Sequence, residues 1–253
     1  MQRSSILLAT LALLLAGCTA PSPQSITEES VSYAMIDGRK ISGFLARPND
    51  DGPHPALILI HEWWGLNDNM RSLARDFAKQ GYVALAVDLY EGESTTDQTQ
   101  APALVGRVLA DMDRALENLR QAVAYLRGLS QVNDEKLASV GWCFGGGWSY
   151  QMAKNDLGVR ATVMYYGQFD PHDDFAHMKA DILGHFGEKD ANIKVDTVKE
   201  FEAALITHKG IHEIYIYPNA GHGFANPDNP AYNPEAAAKA WERTMNFLEG
   251  ALD

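Results

Sequence analysis

From residue 31 onward, short apolar runs alternate with longer stretches in which apolar positions recur every three or four residues. The runs at 56–61, 83–87, 137–141, 161–166, 182–186 and 214–217 are rich in Val, Ile, Leu, Tyr and Ala and nearly unbroken, as strands covered on both faces are. Helical periodicity marks 68–80, 101–127, 146–154, 195–207 and 234–248. Ahead of these, 31–35 and 40–46 flank Asp37-Gly38 and predict an antiparallel hairpin at one edge of the sheet. Strands alternating with helices define an α/β protein: one domain, with a mostly parallel sheet and helices on both faces. Ligands of such sheets bind beyond the carboxyl ends of the strands.

The first thirty residues do not follow this pattern. Met1-Gln2-Arg3 brings one positive charge, 6–15 is an apolar run, and Ala16-Gly17-Cys18 closes it. The run is too short for a stable membrane anchor and reads as an export signal. The ending Leu14-Leu15-Ala16-Gly17-Cys18 matches a lipobox, so Cys18 is expected to be lipidated; ordinary cleavage near Ala20 is the alternative. Residues 19–30 are rich in Pro, Ser, Thr and Gln and read as a flexible tether. The expected organisation is therefore a signal over 1–17, a tether over 18–30 and a catalytic-sized domain over 31–253. It describes an exported bacterial lipoprotein, held to the membrane only by its acyl chains and facing the periplasm.

Composition narrows the partners. Hydrophobic residues make up 46% and charged residues 21%, enough apolar material for one sizeable core. A net charge of −12 disfavours nucleic acid and anionic lipid surfaces. The expected partner is a small molecule, and a monomer is expected. Eight histidines, among them His172, His177, His185 and His222, raise the question of metal, but their spacings match no ligand motif and no paired cysteines occur. No metal or organic cofactor is predicted.

The chemistry gathers around Gly141-Trp142-Cys143-Phe144-Gly145, which follows an apolar run and precedes a helical one. That is the setting of the strained strand-to-helix elbow G-x-S-x-G, with cysteine in the nucleophile position. The helix start aims N–H groups and partial positive charge at the sulfur, favouring thiolate. The competing reading is a glycine-rich turn around an inert cysteine. A nucleophile needs a base and the base an orienting acid, in the order nucleophile, acid, histidine. Asp190 lies just past the run 182–186 and His222 in the loop after 214–217, so both reach the same rim of the sheet. Glu188 competes as the acid; a helix cap and a structural loop histidine are the bland roles for Asp190 and His222. The backbone amides of Trp63 and Phe144 are expected to form an oxyanion hole. Glu62 is the carboxylate that could hold the resting thiol's proton, unless it pairs with Arg71 or caps a helix. The aromatic residues Trp63, Trp64, Phe144, Trp148, Tyr165 and Phe224 are pocket candidates, with core packing the alternative, above all for Tyr165 and Trp148.

Five segments together resemble the dienelactone hydrolase family: Glu62-Trp63-Trp64-Gly65-Leu66-Asn67, Asp88-Leu89-Tyr90, Gly141 to Gly146, Tyr165-Tyr166-Gly167 and Gly221-His222-Gly223-Phe224-Ala225. The resemblance implies an α/β-hydrolase that cleaves esters or lactones without a cofactor through Cys143, Asp190 and His222, by way of an acyl-thioester. It implies that Glu62 holds the thiol until substrate binds. A general carboxylesterase or thioesterase on the same triad, and a lipoprotein that keeps the fold without catalysis, are the alternatives. In the family two arginines grip a substrate carboxylate, one just after the Asp-Leu-Tyr motif and one four residues past the histidine. Here those places hold Gly92 and Asn226, the latter counted among the pocket residues. Arg107 and Arg114 are the nearest cations that could replace them.

Overall fold

A computed structural model describes residues 25–253, so the expected export signal and Cys18 lie outside the described residues. Eight strands form one sheet in the order β1-β2-β4-β3-β5-β6-β7-β8. The hairpin β1 (Ile26–Ile36) and β2 (Arg39–Pro48) is antiparallel, and β2 runs antiparallel to β4 (Val83–Val87). From β4 onward, β3 (His54–Ile60), β5 (Val132–Trp142), β6 (Ala161–Tyr165), β7 (Asp181–Gly187) and β8 (His212–Tyr217) are all parallel. This is the mostly parallel α/β architecture the alternation predicts, and it fits the α/β-hydrolase fold the resemblance implies.

The unbroken apolar runs have a simple cause. Successive residues of a strand face opposite sides of the sheet, and here both sides are covered. Ile58 and Ile60 of β3 pack beneath Leu119 of α3 (Met112–Arg127) and Trp148 and Met152 of α4 (Phe144–Lys154). Leu57 and Leu59 face Phe77 of α1 (Asp68–Lys79) and Ala240 and Phe247 of α6 (Pro234–Leu252). A third cluster joins Phe186 of β7 to Phe201 of α5 (Val195–Ala204).

Two expectations need correction. The tether ends sooner than residue 30, because Ile26 to Ser30 already pair with Pro48 to Phe44 of β2. This stretch is an edge strand held by main-chain bonds and by surface pairs, Glu28 with Arg75 and Glu29 with Arg47. It buries almost nothing, so it lacks the apolar alternation that marks a strand. The long helix expected over 101–127 is two helices, α2 (Ala101–Leu109) and α3. Asp111 leaves helical geometry at φ −138°, ψ 71°, and its carboxylate accepts from the Arg114 N–H as the N-cap of α3. The break frees α2 to lie across the carboxyl rim of the sheet.

Candidate active site

At the end of β5 the chain turns straight into α4. Cys143 sits at this corner with φ 54° and ψ −116°, in a region that residues with a β-carbon seldom occupy. Such a conformation is strained by about 1–3 kcal/mol and persists only where the surroundings enforce it. They do: the Cys143 N–H donates to the Tyr165 carbonyl at 2.9 Å, and its carbonyl accepts from the Gly147 N–H at 3.2 Å. The turn leaves no room beside it. A β-carbon on Gly141 would meet the Gly145 carbonyl, and one on Gly145 the Ile60 carbonyl. The corner projects the sulfur at the carboxyl rim, where the two loops after β7 and β8 also end.

His222 comes from the loop after β8, and its Nε2 is 3.1 Å from the Cys143 Sγ. Its Nδ1 donates to Asp190 Oδ2 at 2.8 Å. Asp190 follows β7, and its other oxygen accepts from the backbone amides of Asn192 and Ile193 at 2.8 and 3.1 Å. The carboxylate is thus aimed by its own loop. Burial alone would raise its pKa, but the His222 bond and the two amides hold it below the ordinary carboxylate range. Burial likewise works against a charged His222, yet the bonds to Asp190 and Cys143 win and push it up to about 10. The same two partners thus stabilise the imidazolium that forms when the ring takes a proton from the sulfur. Glu188, the competing acid, instead accepts from the exposed Asn219 amide.

The loop after β3 is braced from inside. His61 is fully buried; its Nε2 accepts from the Leu89 N–H at 3.1 Å, which leaves Nδ1–H to donate to the Glu62 carbonyl at 2.6 Å. Burial lowers its pKa and keeps it neutral, as that arrangement requires. The Gly65 N–H bonds the same carbonyl at 3.2 Å, and the Tyr90 hydroxyl donates to the Trp63 carbonyl at 3.2 Å. With the Glu62 carbonyl fixed inward, the trans peptide turns the Trp63 N–H the opposite way. Phe144 opens α4, and a first-turn amide has no acceptor in its own helix. Both amides expected to bind an oxyanion are therefore spare donors of residues that line the cleft.

Glu62 does not pair with Arg71, whose nearest carboxylate is Asp68 at 3.7 Å. It is buried, and it accepts from the Asn226 side chain and from the Tyr166 hydroxyl, the latter at 3.3 Å. Its contact with the thiol is absent from this structure, since the sulfur bonds His222. Burial pushes its pKa up to about 6 despite those donors. An acid whose folded-state value lies above its unfolded one loses stability as pH rises through that window. Glu62→Gln is therefore expected to raise stability at pH 8 by about 1–2 kcal/mol, or a few degrees in Tm, and to leave it unchanged at pH 4. Thermal melts at both pH values check this; an equal shift at both would contradict it.

A cleft of about 530 Å³ opens over the sulfur. Cys143, His222, Trp63, Phe144, Trp148 and Tyr166 line its floor. Val105 and Leu109 of α2 and Met112 of α3 line its wall, a contribution the sequence did not reveal. Gln151, Gln168 and Asn192 are its other polar members. Four pocket candidates fall outside this lining. Trp64 packs at a tilt against Trp63, with ring centroids 4.8 Å apart. Phe224 is fully buried between Tyr166 and Tyr217, and Asn226 is turned onto Glu62. Tyr165 is a core residue, its hydroxyl on Thr244, and Tyr166 takes the place expected of it. The two tyrosines exchange roles because β6 ends between them and Tyr166 turns to φ 40°.

Comparison with known proteins agrees with the geometry. The family model described as Dienelactone hydrolase family matches residues 41–252. The chain belongs to the dienelactone hydrolase family. A Synechocystis sp. relative assigned as a carboxymethylenebutenolidase is 31% identical over 231 residues, 84% of this chain and 93% of that one. A Bradyrhizobium sp. relative assigned as a 2-oxo-3-(5-oxofuran-2-ylidene)propanoate lactonase is 31% identical over 88% of this chain and 96% of its own. Among solved structures, a protein of Klebsiella pneumoniae assigned to dienelactone hydrolase superposes with TM-score 0.79 at 27% identity, covering 89% of this chain and 99% of that one. This dienelactone hydrolase family member is thus a hydrolase of the carboxylic ester class.

Proposed function

We propose that the protein hydrolyses small esters or lactones through Cys143, His222 and Asp190, with an acyl-thioester as the intermediate. One observation carries the reading: an unbroken line runs from the strained Cys143 sulfur through His222 to Asp190, with bonds of 3.1 and 2.8 Å. His222 takes the thiol proton, and the sulfur attacks the carbonyl carbon. The carbonyl π electrons move onto oxygen, which is received by the Trp63 and Phe144 amides; each such donor typically lowers the barrier by about 3–4 kcal/mol. The oxyanion collapses, the bond to the leaving oxygen breaks, and the His222 imidazolium protonates it. A water then gives its proton to the neutral imidazole and attacks the thioester. Collapse releases the acid and returns the proton to sulfur. Asp190 fixes the imidazole and stabilises its charged form throughout. The leader and Cys18 support an exported, lipid-anchored setting for this chemistry.

The test is intact-protein mass spectrometry after rapid mixing with p-nitrophenyl acetate. The expected result is a burst of p-nitrophenol with one acetyl group added, mapped by peptide digestion to Cys143. Turnover without any adduct at Cys143, even under rapid quench, would overturn the mechanism.

A further inference from the structure

We propose, resting on the hydrolase reading above, that the cleft selects uncharged esters or lactones with an apolar substituent and rejects those carrying a carboxylate near the scissile bond. The Bradyrhizobium relative's name specifies a propanoate, an anion. The cleft here offers an anion little. Its lining contains neither lysine nor arginine. At position 92 only a backbone amide is present, and it already donates to Asp88 Oδ2 at 2.6 Å. At position 226 the asparagine amide is spent on Glu62.

The two arginines that could stand in face elsewhere. Val105 and Leu109 are four residues apart and share one face of α2, turned to the sulfur. Arg107 lies about 200° around the helix from Val105. It faces a separate cleft of about 640 Å³, where it pairs with Glu93 at 2.6 Å. Arg114 lies in that same cleft, held by Asp37 and Glu91 at 2.6 Å each. Helix α2 is thus a partition, with ion pairs on one side and the reactive sulfur on the other.

The side facing the sulfur is apolar beyond what the core requires. Leu109 and Met112 are 52% and 41% exposed, and both stand on the cleft wall. Exposed apolar side chains grouped at a reactive cleft mark a surface that a ligand covers. Its polar members, Gln151, Gln168 and Asn192, are neutral. Behind the floor sit the buried carboxyl groups Glu62 and Asp190, and the latter is already committed to His222. A second carboxylate entering here would find no counter-charge and would lose its water.

The experiment measures kcat/KM on p-nitrophenyl acetate, propionate, butyrate and valerate and on the anionic p-nitrophenyl hemisuccinate. The expected result is a rise of about three- to four-fold per methylene up to butyrate, with the hemisuccinate at least about ten-fold below the neutral valerate. Leu109→Ser and Met112→Ser should flatten the chain-length series, whereas Ile206→Ser, an exposed apolar residue outside the cleft lining, should not. A hemisuccinate rate equal to or above that of valerate would overturn the proposal. Binding gives an independent reading: quenching of tryptophan fluorescence, reported by Trp63 and Trp148, should saturate with 2-octanone at concentrations where octanoate produces none. If no ester is turned over but the ketone still binds in preference, the hydrolytic mechanism fails and the selectivity stands. Equal or tighter binding of octanoate overturns the selectivity whatever the turnover.

Discussion

Cys143→Ala is expected to lower kcat/KM by about 10⁴- to 10⁶-fold and to abolish the acyl adduct with it. Alanine keeps the β-carbon, so the strained corner at φ 54° is no worse for the exchange and the fold should survive. The oxyanion donors and the cleft remain, and they account for whatever rate is left over water. Cys143→Ser should fall between the two. A hydroxyl can accept the same geometry from His222, but its proton is far harder to remove than that of a thiol. Steady-state assays on p-nitrophenyl butyrate, with circular dichroism to verify folding, decide the matter. Activity of Cys143→Ala at the wild-type level would end the nucleophilic reading.

A second large loss, about 10³- to 10⁴-fold in kcat, is expected for Asp190→Asn. Asparagine can still accept from the Asn192 and Ile193 amides through its oxygen, which turns its NH₂ group toward His222 Nδ1. That nitrogen must then accept, so the ring proton moves to Nε2 and confronts the sulfur with a donor where a base is needed. The same change removes the carboxylate that helps to push the His222 pKa up to about 10. A histidine raised in the folded state contributes stability in full below its unfolded value, and that contribution fades as pH rises through the folded one. The wild type should therefore exceed Asp190→Asn in stability at pH 7, with the gap closing above pH 10. A variant with wild-type kcat would show that Asp190 merely caps its loop.

Much of this site was legible because its parts obey local rules. The run 137–141 followed by Gly141 to Gly145 has few structural solutions, and all put residue 143 at a corner. Asp190 and His222 follow buried parallel strands, and the ends of such strands share one rim. What escaped depends on contacts between distant segments. Nothing near Asn226 in the chain says that its amide will meet Glu62, 164 positions away. The choice between Tyr165 and Tyr166 turns on one residue at the end of β6, finer than apolar runs can resolve. The split at Asp111 was legible in principle, since an aspartate three residues before an amide it can cap is a start signal. It was masked by helical periodicity on both sides.

That split separates two jobs. Cys143, His222 and Asp190 hang from the sheet, whereas the wall proposed to select what reaches them hangs from α2, joined to α3 through the capped turn at Asp111. Mutations in α2 can redraw the range of accepted molecules while the reacting atoms stay in register. A lineage could thus exchange a charged clientele for an oily one by editing a single short helix, without disturbing the machinery underneath.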